Sequence, residues 1–215
     1  MIDLMILVPH QDDELAIAGP LIYAAARENK QLKIVFSTDG DYFPQERPIR
    51  HQEALNVAKL LGVREEDVLF LGFHDQDVAG QKANRIALKE QVFKLLQEYM
   101  PRTIITTGWD NHLDHLMLSL VVDEVTAELA GVQNYRPLVL KGLAYNGKWE
   151  GPMDYYDGAN YTQNYNQAIG TDKHYPSHAW EDRLRFAVPV ECKTPRLWDN
   201  VLYQASRRYP SQSVD

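Results

Sequence analysis

The feature that most constrains this chain is a repeated change of hydrophobic period along its first two-thirds. Short apolar runs stand at 4–8, 32–36, 68–71 and 103–106, and a fifth lies within 137–145. Longer amphipathic stretches separate them, at 16–28, 49–61, 84–100 and 116–129. The run Leu4-Met5-Ile6-Leu7-Val8 has no polar position, so both of its faces need cover, as in a parallel sheet flanked by helices. Ala54, Ala58 and Leu61 follow helical spacing, and Gly62 beyond them is a stop signal. Leu88, Val92, Leu95 and Tyr99 line one face of the third helix, which Pro101 closes. This alternation predicts an α/β fold: a Rossmann-like three-layer sandwich with a mainly parallel sheet, in a single domain spanning 1–215.

The last third changes character. Residues 146–180 are rich in Gly, Asn, Asp and Tyr and show no period. Six of the 12 tyrosines, Tyr145, Tyr155, Tyr156, Tyr161, Tyr165 and Tyr175, fall in or beside this stretch. A long aperiodic segment in a compact domain is expected to be a lid or substrate-binding excursion. Beyond it, 183–190 alternates as a strand and 196–208 reads as a terminal helix.

In an open parallel sheet, ligands bind at the carboxyl ends of the strands. Pro9-His10-Gln11-Asp12-Asp13-Glu14 follows the first run, Ser37-Thr38-Asp39-Gly40-Asp41 the second, Gly72-Phe73-His74-Asp75 the third, and a stretch ending His112-Leu113-Asp114-His115 the fourth. Consecutive acids after a strand are also what a helix N-terminus favours, because its dipole is positive there. That accounts for Asp13 and Glu14 but not for His10, nor for the second His/Asp cluster. Together the clusters offer imidazole and carboxylate ligands from two loops. Two histidines and one carboxylate leave a position open for water, the usual form of a catalytic zinc site.

The stretches at 9–14 and 112–115 resemble the two signature motifs of the LmbE/PIG-L-like zinc de-N-acetylases. Thr38-Asp39-Gly40, Arg50 with Glu53-Ala54, Leu71-Gly72-Phe73, and the closing Tyr209-Pro210-Ser211-Gln212 agree in order. The resemblance implies Zn2+ held by His10, Asp13 and His115. It implies Asp12 as general base, and His112 as the residue that stabilises the tetrahedral intermediate or protonates the leaving amine. Asp114 falls where a family carboxylate tunes that histidine, an arrangement expected to raise its pKa. Arg50 matches a substrate-recognition position. Asp39 and Asp75, at neighbouring strand ends, and Tyr145, beside the aperiodic stretch, are further candidates for substrate contact. One departure stands out: the family commonly has Pro after the first His, where this chain has Gln11. The implied activity is hydrolysis of the acetamide of an N-acetylated amino sugar or related small conjugate. A larger N-acyl conjugate as substrate, or metal binding without turnover, are the alternatives.

Composition narrows the partners. The formal net charge is −8, which repels phosphate backbones and anionic lipid, so neither nucleic acid nor a membrane is expected. A single cysteine excludes an internal disulfide and a cysteine-rich zinc ribbon. No run approaches a membrane span or an export signal, so a cytoplasmic location is expected. The expected partner is a small-molecule substrate, with a homo-oligomer left open.

Overall fold

The computed structural model describes residues 1–75, 82–108, 112–142 and 187–212. In chain order the elements are β1 (Leu4–Val8), α1 (Asp13–Arg27), β2 (Leu32–Thr38), α2 (Arg47–Leu60), β3 (Val68–Phe73), α3 (Lys82–Tyr99), β4 (Thr103–Thr107), α4 (Leu113–Gln133), β5 (Leu138–Gly142) and α5 (Val201–Ser206). The five strands form one sheet in the order β3-β2-β1-β4-β5, and every pairing is parallel. Helices cover both faces, so the expected three-layer α/β sandwich is observed.

The register explains the unbroken apolar run of β1. Ile6 lies opposite Ile34 on β2 and Ile105 on β4, at the centre of the sheet. Leu4, Ile6 and Val8 face one core, built with Ile22 of α1, Val57 of α2 and Leu202 of α5. Met5 and Leu7 face the other, with Leu88 and Val92 of α3 and Val121 and Val125 of α4. Successive strand residues point to opposite faces, so two cores demand an apolar residue at every position. Each such side chain contributes about 1.5–3 kcal/mol of burial.

Helix ends follow their local signals. Gly62 takes φ +87 after α2, and Val63 N–H closes back on Ala58 O at 2.8 Å. Asn134 plays the left-handed role after α4, with φ 53. At the C-terminal end two expectations are corrected. Residues 187–189 pair with no strand, and Val190–Cys192 is a 3-10 turn; Pro189 lacks the N–H a ladder needs. The 183–186 part of that expected strand lies outside the described residues. The helix expected over 196–208 is divided: Leu197–Asp199 is a 3-10 turn and α5 begins only at Val201. Extended Asn200 forces the break, its side-chain oxygen capping Leu202 N–H at 2.9 Å and Tyr203 N–H at 3.2 Å. None of the described helices is long and apolar enough to cross a membrane.

β1 is followed by α1 on one face and β4 by α4 on the other. Neighbouring strands whose connections leave in opposite directions open a crevice at their carboxyl ends. Both His/Asp clusters emerge there.

Candidate metal centre

The loop leaving β1 is pinned before it reaches the site. Thr38, at the end of β2, donates its N–H and its hydroxyl to Pro9 O, each at 3.0 Å. Gln11 is fully buried and donates Nε2 to Thr38 O at 2.9 Å. The departure from the family motif at this position therefore supplies a second tie between the loops. Arg50, reaching across from α2, donates NH2 to Gln11 O at 2.9 Å and NH1 to Gly40 O at 3.5 Å. Gly40 must be glycine: it sits at φ +63, and a Cβ there would stand 2.1 Å from Gln11 Oε1 and 2.6 Å from Arg50 Nε.

His10, Asp13 and His115 converge inside this frame. His10 N–H donates to Asp13 Oδ2 at 2.9 Å. That oxygen lies 3.2 Å from His10 Nδ1 and 3.2 Å from His115 Nε2, and the two ring nitrogens are 3.3 Å apart. Tetrahedral zinc with bonds of about 2.0–2.1 Å keeps its ligand atoms about 3.3 Å apart. Three buried donors at that spacing, two imidazoles and one carboxylate, fit zinc. His112 belongs to a looser histidine group with His10 and His115, whose ligand atoms lie within 4.8 Å of one another. The triangle with Asp13 is the tighter of the two, and His112 stands beside it, its ring 4.6 Å from that of His10 in a T-shaped contact.

The second nitrogen of His10 is also engaged. Its Nε2 lies 3.1 Å from Asp114 Oδ2 and 3.9 Å from Asp75 Oδ1. A carboxylate behind a ligating imidazole fixes the ring and its tautomer. Burial alone would lower the His10 pKa, but hydrogen bonds to Asp114 and Asp13 and the surrounding carboxylates raise it to about 10. Asp13 is held low: burial opposes its charge, and His115 and His10 outweigh that. Asp114 was expected to raise His112. Its Oδ2 is 3.9 Å from His112 Nδ1, farther than from His10. Burial, then the charges of His10 and His115, lower His112 instead, against the pull of Asp114. The local geometry agrees: His112 caps α4 by accepting Asp114 N–H on Nδ1 at 3.3 Å, which requires that nitrogen to be unprotonated. The proton of the neutral ring then resides on Nε2.

Asp12 stands at the head of α1 with φ 129 and ψ −28. Conformations of this kind cost a non-glycine residue about 1–3 kcal/mol and persist only where the surroundings impose them. Here Asp12 O accepts Leu15 N–H and Ala16 N–H, and Asp12 N–H donates to Glu14 Oε2 at 2.9 Å. Burial and the adjacent Asp13 charge push the Asp12 carboxyl up to about 7, against the pull of Arg50. Glu14 is raised to about 8 by burial, opposed by the hydroxyl of Tyr209.

The remaining candidates divide. Asp75 joins the site, with Oδ2 3.8 Å from Arg50 NH1. Behind it Asp41 accepts Asp75 N–H at 3.2 Å and pairs with His74 Nδ1 at 2.5 Å. Asp39 is committed to α2: one oxygen pairs with Arg47, and the other lies 3.1 Å from His51 Nε2, whose ring stacks on Phe70. Tyr145 and the whole 146–180 stretch lie outside the described residues. In the sequence Tyr209 stands only within the closing 209–212 element, and no partner for it is legible there. Its hydroxyl meets Glu14 across 195 positions, and no local pattern carries that contact.

A parallel α/β sandwich with a buried histidine–carboxylate cluster at its switch point, spaced as a metal would need, defines the class. The family model described as PIG-L, GlcNAc-PI de-N-acetylase, matches residues 5–126, more than half of the 215, and the chain belongs to that family. No curated protein sequence matches it. Similar solved structures include the N,N'-diacetylchitobiose deacetylase of Pyrococcus horikoshii, 19% identical, with 98% of this chain and 79% of that one covered and a TM-score of 0.53. A deacetylase of teicoplanin biosynthesis is 16% identical, covering 78% of this chain and 82% of that one, at 0.55. The 4-carboxy-2-hydroxymuconate hydratase GalB of Pseudomonas putida KT2440 is 14% identical, covering 87% and 93%, at 0.53. At these identities the likeness is one of fold.

Proposed function

We propose that this protein is a zinc-dependent de-N-acetylase that hydrolyses the acetamide of an N-acetylated amino sugar or a related small conjugate. The observation that carries the reading is the triangle of His10 Nδ1, Asp13 Oδ2 and His115 Nε2, with sides of 3.2, 3.2 and 3.3 Å. Family membership supports the amide-hydrolysing chemistry. Zinc held there supplies a Lewis acid and lowers the pKa of water toward about 7.

The chain's own groups do the rest. Asp12, next to the ligand Asp13, takes the proton of the attacking water. His112, protonated on Nε2 as a neutral ring, donates a hydrogen bond to the amide oxygen as negative charge builds there. An amine leaves poorly unless protonated, and Asp12 is the group that holds a proton at that stage. Asp114 keeps the His10 ring turned toward the seat. Arg50 fixes the loop at Gln11 O, and the Asp75 side chain lies buried between Arg50 and His10.

The test is metal analysis with an Asp12→Asn variant, assayed by acetate released from N-acetylglucosamine conjugates. The variant keeps zinc and loses about 10²-fold or more in kcat. A well-folded wild-type protein that takes up no zinc, or an Asp12 variant with undiminished hydrolysis, sinks the assignment. Because a hydratase shares the fold, release of amine and acid in equal amounts is measured directly. Acyl chains longer than acetyl show whether the substrate is a larger conjugate.

A further inference from the structure

Two buried groups from opposite ends of the chain converge on Asp12 and have no part in metal binding or proton transfer. Glu14 is 1% exposed and Tyr209 is fully buried. One oxygen of the Glu14 carboxylate accepts Asp12 N–H at 2.9 Å, and the other accepts the Tyr209 hydroxyl at 2.6 Å. Tyr209 belongs to a turn that is itself anchored. Its N–H donates to Ser206 O at 3.0 Å, and two residues on, Ser211 donates its N–H and hydroxyl to Glu53 at 3.0 and 2.5 Å. Glu53 lies on α2 three residues after Arg50, whose guanidinium holds Gln11 O. The C-terminal turn thus grips α1, whose first turn carries Asp13, and α2, whose Arg50 ties the loop at Gln11.

Packing alone does not require this arrangement. Phenylalanine would fill the volume of Tyr209, and an apolar residue in place of Glu14 would avoid desolvating a carboxyl group. What the polar pair adds is a fixed acceptor at the amide of a residue with φ 129. We propose that Glu14 and Tyr209 are positioning residues for Asp12: the tyrosine hydroxyl aims the carboxyl group, and the carboxyl group holds the Asp12 backbone so that its side chain faces the His10–Asp13–His115 cluster. The C-terminal turn in this way helps hold Asp12 in place. The inference rests on the reading of Asp12 as the base.

The experiment uses the full zinc-loaded chain and the variants Tyr209→Phe, Glu14→Gln and Glu14→Leu. Tyr209→Phe lowers kcat for acetate release about tenfold, since displacements of an ångström or less at a reacting group cost up to about 10²-fold. KM stays within about twofold and zinc per chain is unchanged, because no ligand has moved. Glu14→Gln, which keeps an oxygen for Asp12 N–H, loses less than Glu14→Leu. A readout free of turnover is the Asp12 amide proton resonance in the zinc-free protein, which moves upfield as its hydrogen bond lengthens. A folded Tyr209→Phe protein with wild-type kcat overturns the proposal. Should the wild type hydrolyse no N-acetyl substrate, the de-N-acetylase reading fails by itself. The amide resonance then decides the positioning role, a shift supporting it and an unmoved signal refuting it. Should Tyr209→Phe not fold, the Glu14→Gln and Glu14→Leu pair makes the same comparison.

Discussion

Replacing Arg50 with Met separates two roles that its position in the family motif does not. The side chain is 6% exposed and donates to two backbone carbonyls. The 2.9 Å bond from its NH2 to Gln11 O is charge-assisted and contributes about 1.5–3 kcal/mol. The 3.5 Å contact of NH1 with Gly40 O is at the limit of bonding and adds little. Asp75 at 3.8 Å and Asp12 at 3.9 Å lose their nearest guanidinium. Removing one partner of a buried charge group typically costs about 3–5 kcal/mol, less where water reaches the remaining charge, as it does at Asp12. A total of about 3–4 kcal/mol follows. With a urea slope of about 2 kcal/mol/M, the unfolding midpoint falls by about 1.5–2 M. The assay is urea unfolding followed by circular dichroism, with KM measured on the same preparation in the absence of urea. A midpoint within about 0.3 M of wild type together with a large rise in KM would refute the structural argument and make Arg50 a substrate ligand first.

Three further outcomes are expected. Chelating zinc lowers Tm: metal at about 100 times its Kd adds about 2.7 kcal/mol, or roughly 5–10 °C for a chain of this length, measured by differential scanning calorimetry with and without dipicolinate. The metal-free protein loses stability as pH rises through neutrality. Asp12, Glu14 and His10 all bind protons more tightly folded than unfolded, at about 7, 8 and 10, so each contribution is present below its unfolded pKa and is gone above its folded one. Urea midpoints of apo-protein between pH 6 and 9 check this, and a rising trend would contradict it. Cys192 is fully buried and its thiol is pushed up to about 12 by burial, so iodoacetamide at pH 8 labels it only after unfolding; mass spectrometry of native and denatured samples decides.

Much of this molecule is legible in one dimension because its signals are local. An unbroken run such as Leu4–Val8, five residues long and followed by a helical stretch, reads as a strand covered on both faces, and the four long amphipathic stretches as its cover. The carboxyl-end clusters were legible too, because His10 and Asp13 follow an apolar strand directly; that β1 and β4 lie side by side, with their helices on opposite faces, is a matter of sheet order. Other features depended on where distant segments pass. The contrast between Asp39, spent on Arg47 and His51, and Asp75, which enters the site, arises from loop paths that residue type does not encode. Asp114 is nearer His10 than its sequence neighbour His112, since the helix start turns its carboxylate across the crevice. The terminal helix broke at Asn200 because that side chain caps α5 better than it continues a helix.

The sequence by itself determined the layered α/β fold and offered the candidate donors, since hydrophobic period and side-chain chemistry are properties of short segments. Only the tertiary structure decided which donors share one seat at 3.2–3.3 Å, and that Tyr209 reaches the residue beside it. Spacing between atoms from β1, α4 and the C-terminal turn is set by the packing of a whole sheet and its helices, and no stretch of chain carries that distance alone.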